Sequence, residues 1–167
     1  MKKHKGFIIA GVVLAALAAY CLWYTFVPKS WADIIGTDQT GSFSFSGSVL
    51  YDVSEEVKEY GSYHLGVPNK HPAAQAIASA LEGHEYRASL SNLSPVSRDR
   101  IEVPGADALQ FYLRIQGGLF NMVTIYSNGQ VVTGGITSRL EGCRSYQTET
   151  DLFQQVFDIL REYGAAG

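Results

Sequence analysis

Hydrophobic and polar positions fall into two regimes along this chain. Residues 6–27 contain no charge, and a run of that length makes about 33 Å of helix at 1.5 Å per residue, enough to cross a bilayer core. After residue 40 the apolar positions become periodic. In residues 41–51, Phe43, Phe45, Val49 and Tyr51 alternate with Ser42, Ser44, Ser46 and Ser48, the pattern of a strand with one wet face. Leu109, Phe111, Leu113 and Ile115 alternate with Gln110, Tyr112, Arg114 and Gln116 until Gly117-Gly118. Residues 119–126 are apolar on both faces, as for a central strand covered on both sides. Tyr86, Ala88 and Leu90 suggest a shorter strand, and residues 143–147 another.

Asn128-Gly129 is the sharpest turn signal, because both residues accept the positive φ angles of a two-residue type I′ turn. Such a turn pairs Ile125 with Val132 and Tyr126 with Val131. Two helices complete the inventory. Residues 72–82 begin with a proline in the first turn, carry Ile77 and Leu81 on an alanine-rich body, and stop at Gly83, so the helix can lie close to a sheet. Residues 148–163 place Thr148 as a cap, Glu149 and Asp151 at the positive end of the dipole, Arg161 at the negative end and Gly164 as the stop. Phe153, Val156, Phe157 and Leu160 form its stripe, widened by Leu152, Ile159 and Tyr163, which should lie on a sheet. Strands joined by antiparallel hairpins and flanked by two helices predict an α+β domain.

Composition sharpens the division. Over 167 residues, 17% are charged and 12% aromatic, which excludes a disordered chain. Removing Lys2, Lys3 and Lys5 from the 13 basic residues leaves 10 against 16 acidic ones, a formal net charge of −6 beyond the apolar run. Nucleic acid and anionic lipid are thereby disfavoured as partners, since both need clustered positive charge. The expected organisation is a cytoplasmic basic tail at 1–5, a transmembrane helix at 6–27, a juxtamembrane linker at 28–40 and an extracytoplasmic domain at 41–164. Lys2, Lys3 and Lys5 set the orientation, since cytoplasmic flanks carry the positive excess. Tyr20, Trp23, Tyr24 and Phe26 crowd the opposite end, where such rings favour the interface.

Two other readings of the N-terminus compete. A cleaved signal peptide would be cut after Ala32 in Ser30-Trp31-Ala32, but its apolar core is usually shorter, about 7–15 residues. A lipoprotein site at Cys21 fails because bulky Tyr20 precedes it. Gly11, Ala15 and Ala19 repeat every fourth residue, a ridge on which a second membrane helix can pack closely.

Candidate chemistry is sparse. His64, His71 and His84 stand in no metal-binding motif, and His71 and His84 bracket a helix as boundary residues. Cys143, beside Arg144, is the one nucleophile candidate; a small buried strand residue is the competing reading. Asn92-Leu93-Ser94 matches a glycosylation acceptor. No cofactor is expected. Two long connections, residues 52–70 and 91–107, exceed the usual loop length and suggest function. Tyr60, Tyr63, Arg98 and Arg100 within them are the expected contacts with a protein or peptide partner, because tyrosine and arginine dominate binding hot spots. The alternative balances Arg98 and Arg100 against Asp99 and Glu102 in a solvated loop and folds Tyr60 and Tyr63 back onto the core. The chain is thus expected to be a membrane-tethered interaction or sensing module, with a tethered hydrolase using Cys143 and a secreted domain as alternatives.

Overall fold

A computed structural model of the chain describes residues 2–35, 45–50, 63–64, 71–94, 103, 105–115, 119–135, 142–163 and 165–166. Helix α1, Lys2–Phe26, leads into a short helix α2, Trp31–Ile35. Then follow β1 (Phe45–Leu50), β2 (Tyr63–His64), α3 (Pro72–Glu82), β3 (Arg87–Ala88), β4 (Ala108–Ile115), β5 (Leu119–Tyr126), β6 (Gln130–Gly135), β7 (Cys143–Gln147), α4 (Asp151–Tyr163) and β8 (Ala165–Ala166). The fold is α+β. Six strands form one antiparallel sheet in the order β1-β4-β5-β6-β7-β3, and β2 pairs with β8 separately.

The register explains where the core sits. One cross-strand row runs through Val49, Leu109, Ile125, Val131, Tyr146 and Ala88. From Leu109 to Ala88 every member of that row is at most 4% exposed and belongs to one apolar cluster. Trp31, Ile34 and Ile35 of α2, Ala73, Ala74, Ile77 and Leu81 of α3, and Leu152, Phe153, Val156 and Leu160 of α4 complete it. On the central strand β5, Thr124 and Tyr126 alternate with Val123 and Ile125, and all four are buried. Both faces of β5 are therefore covered, as its continuous apolar pattern implies.

The hairpin between β5 and β6 departs from the expected geometry by one residue. Ile125 pairs with Val131 and Thr124 with Val132. Gly129 alone of the turn residues has positive φ (+82°), and its N–H donates to the Tyr126 carbonyl at 2.9 Å. This is a three-residue loop, a type I turn closed by a left-handed glycine, instead of a two-residue type I′ turn. Asn128 stays right-handed because its Oδ1 accepts from the Gln130 N–H at 3.0 Å, which rewards the type I conformation.

Other boundaries also move. Leu90 is not part of the β3 strand: it is 57% exposed and opens a 3-10 turn, Leu90–Leu93, capped by Ser89. Thr148 does not cap α4, which starts at Asp151; its hydroxyl donates instead to the Glu85 carbonyl at 2.8 Å. The buried stripe of α4 is centred nearer Leu152 than Phe157, because α4 packs against α3 as well as β5. Phe157 is only half-buried, stacked on Phe153 with the Arg161 guanidinium 5.8 Å from its ring centre. The small residues of α3 accordingly serve its approach to α4 and α2.

Two consequences can be measured by urea unfolding of the full chain in detergent micelles. Leu152→Ala should cost about 2–5 kcal/mol, the range for a fully buried leucine, and Phe157→Ala distinctly less. Equal losses would place the stripe where the periodicity alone put it. Gly129→Ala should cost about 1–2 kcal/mol from the left-handed backbone alone. The new Cβ would also lie 2.5 Å from the Thr148 carbonyl oxygen, so a loss below that range would mean that the turn is not held as described.

Candidate functional site

The stretch expected to be a linker is, where described, part of the domain. Three residues after α1 ends, Lys29 N–H donates to the Tyr86 carbonyl at 2.8 Å and Tyr86 N–H donates to the Lys29 carbonyl at 3.0 Å. Ser30 then caps α2: its Oγ accepts from the Asp33 N–H at 3.2 Å while its own N–H donates to Asp33 Oδ2 at 2.9 Å. This reciprocal pair is a capping box with aspartate in place of glutamate. The bond from the Ser30 backbone is the main reason the Asp33 carboxyl is held below its usual range. Helix α2 buries Trp31, 1% exposed, with its ring centre 5.7 Å from that of Tyr86. Tyr86 is fully buried and donates its hydroxyl to the Leu81 carbonyl at 2.7 Å, and burial pushes that phenol well up.

Beside this junction lies a groove. Its walls are the last turn of α1, through Thr25 and Phe26, and the β3 edge of the sheet with the turn after it, through Arg87 and Leu90. Tyr146 and Gln130 contribute to the lining, and the volume is about 490 Å³. Ser145, one of the lining residues, is held by Asn92, whose side chain bonds its main chain where β3 has ended. Asn92 Nδ2 donates to the Ser145 carbonyl at 2.7 Å, and the Ser145 N–H donates to Asn92 Oδ1 at 2.8 Å. The Asn92 carboxamide is thus a structural element, which competes directly with any glycan at that position. Among the described lining residues there is no carboxylate, histidine or cysteine. The described lining therefore offers apolar surface, amides, hydroxyls and a guanidinium.

The two histidines described with their side chains mark the ends of α3. His71 Nδ1 accepts from the Ala73 N–H at 3.2 Å, capping the first turn, and its ring meets Tyr163 edge-on at 5.9 Å. His84 follows the helix, with Nδ1 2.7 Å from the Ala80 carbonyl and Nε2 3.2 Å from Asp151 Oδ1. Glu149 joins it, so that one ligand atom of each of His84, Glu149 and Asp151 lies within 4.8 Å of the others. His84 thus bridges the C-terminal end of α3 and the N-terminal end of α4, one ring nitrogen on a main-chain carbonyl and the other facing the Asp151 carboxylate. Helix dipoles favour that arrangement at both ends.

The residues expected to form a binding site are mostly beyond view: Tyr60, Arg98 and Arg100 lie outside the described residues. Tyr63 is described by its backbone, in β2 opposite Ala166. Cys143 is half-buried in β7, opposite Gly134, where an added Cβ would stand 3.1 Å from its Sγ. The groove and the junction were missed by sequence reasoning, although Ser30-x-x-Asp33 followed by apolar residues was a readable helix start. No family model, curated protein or solved structure matches the chain.

The bond from His84 is the leading reason that the Asp151 carboxyl sits below its usual range. A carboxyl depressed by folding stabilises the fold above its unfolded value, about 3.9, and loses that contribution as pH falls through the lower folded value. The stability gap between the parent chain and Asp151→Asn, followed by urea unfolding from pH 6 downward, should therefore close in acid. A gap independent of pH would show that the pairing does not depend on the carboxylate charge.

Proposed function

We propose that this chain is a single-pass, membrane-anchored interaction or sensing module, with its N-terminus in the cytoplasm and its folded domain outside. Among the described residues one helix is long and apolar enough to cross a membrane, over 20 residues from Phe7 to Phe26. Its apolar side chains are exposed, with Phe7 80% and Leu14 67% accessible, as for a surface that meets lipid. The observation that carries the proposal is the junction. A signal peptidase cutting after Ala32 would remove Lys29 from its backbone bridge and Trp31 from the core, so the secreted alternative takes out part of the fold it would release. The orientation is supported by the lysines at the start of α1 and by Tyr20, Trp23 and Tyr24 at its other end. The ridge of Gly11, Ala15 and Ala19 is the proposed surface for pairing with a second membrane helix.

A groove whose described lining holds no carboxylate, histidine or cysteine favours binding over catalysis. The enzyme alternative rests on Cys143 finding His64, His71 or His84; His71 and His84 are engaged at the ends of α3, and the side chain of His64 lies outside the described residues. A protein or peptide at the membrane surface is the proposed partner, with Tyr60, Tyr63, Arg98 and Arg100 as contacts. Protease added to intact cells should digest the chain after Pro28 while an epitope fused ahead of Lys2 stays protected. Protection of the domain, or a mature protein beginning at Asp33, would overturn the proposal.

A further inference from the structure

We infer that the β3 edge of the domain rests on the bilayer that α1 crosses, with Leu90 seated at the surface of the lipid and a phospholipid occupying the groove between Phe26 and Leu90. This rests on the anchoring reading above. The argument starts from the absence of a spacer. Lys29 is three residues beyond the last residue of α1 and is bonded to Tyr86 in both directions, and β3 begins at the next residue. Whatever depth α1 gives Phe26, the β3 edge is held close to it.

Leu90 and Phe26 stand on the two walls of one groove, 57% and 63% exposed. A single exposed leucine is ordinary on a soluble surface. This one lies beside the residue at which the apolar span ends, where the surrounding medium is lipid and not water. The cations nearby have the matching chemistry. Arg87 is exposed in the groove wall, and Lys29 places its Nζ 5.0 Å from the Tyr24 ring centre and 5.9 Å from that of Trp23. Both stand at the level where lipid phosphates face a ring of interfacial aromatic side chains. The net charge of −6 beyond the apolar run disfavours a general attraction to anionic membranes. Position and apolar contact, with Arg87 to meet one phosphate, then decide the contact, and a zwitterionic phospholipid suffices. A groove of about 490 Å³ accommodates part of a phospholipid, its headgroup or a segment of one acyl chain, with the remainder left in the bilayer.

The test reads depth at three positions in the full chain. Leu17→Cys, Leu90→Cys and Asp158→Cys are each made in a Cys21→Ala, Cys143→Ala background that melts as the parent does. Each is labelled with a nitrobenzoxadiazole probe and reconstituted into phosphatidylcholine vesicles containing spin-labelled lipid. The expected result is strong quenching at 17 by deep spin labels and at 90 by shallow ones, with none at 158, which lies on the exposed side of α4. Quenching at 17 with none at 90 would overturn the lipid contact while leaving the anchor standing. A probe at 90 shielded from both spin-labelled lipid and aqueous iodide would show a protein segment in the groove, and would overturn it as well. Lack of quenching at 17 would remove the anchor and the lipid contact together.

Discussion

The arrangement of this protein depends on two backbone hydrogen bonds between Lys29 and Tyr86. They convert the exit of α1 into an extra rung beside the shortest strand of the sheet, and they place Trp31 where it can fill the core against Tyr86. Because both residues are engaged through the main chain, the contact does not depend on the identity of the Lys29 side chain. That side chain is left to lie over Trp23 and Tyr24. Tyr86 is held from several directions: by Lys29, by the Leu81 carbonyl and by the indole of Trp31. A residue so placed links the end of α1, the end of α3 and the sheet, so a change in any of the three is felt by the others.

Around that point the polar groups follow the same economy. The sheet ends early at β3: the Ser89 N–H still donates to the Ser145 carbonyl at 3.0 Å, and Asn92 supplies by side chain the acceptor that a longer strand would have given the Ser145 N–H, with a second donor to the same carbonyl. Gln130 donates to the Ser145 hydroxyl at 2.8 Å, and Thr148 ties its own hydroxyl to Glu85 and its N–H to Gly129. Buried main-chain groups are satisfied by neighbours on both sides of the short strand, as interiors require. Among buried side-chain groups, Trp31 Nε1 has no hydrogen-bond partner among the described residues.

Periodicity made the larger elements legible and left the joints obscure. The row of Leu109, Ile125 and Val131 follows from alternation, and α3 spans the residues bracketed by its proline and glycine. Alternation does not encode how many residues a turn consumes, so the hairpin register slipped by one once Asn128 found a local partner in Gln130. The stripe of α4 was readable as a stripe. Its centre was not, because that depends on α3, a neighbour 67 residues away along the His84–Asp151 contact. The segment around Trp31 was obscured for a different reason. Five residues are too few to show a period, and Ser30-Trp31-Ala32 resembles a cut site as readily as a cap. The groove follows from long-range pairing alone and has no local signature, and three of the four loop residues proposed as contacts lie outside the described residues.

The lack of a spacer at Lys29 also sets a phase. A domain on a flexible tether samples every azimuth about its anchor, whereas here the face carrying Arg87 and Leu90 keeps a fixed bearing relative to the ridge of Gly11, Ala15 and Ala19. Each residue of α-helix turns the axis by about 100°. One residue added to α1 between Ala19 and Phe26 would therefore swing that ridge to another side of the domain, and a seven-residue insertion there would return it almost to register. Any helix that packs on the ridge thus also selects which side of the domain faces its neighbour, and rotation of α1 about its own axis becomes rotation of the domain.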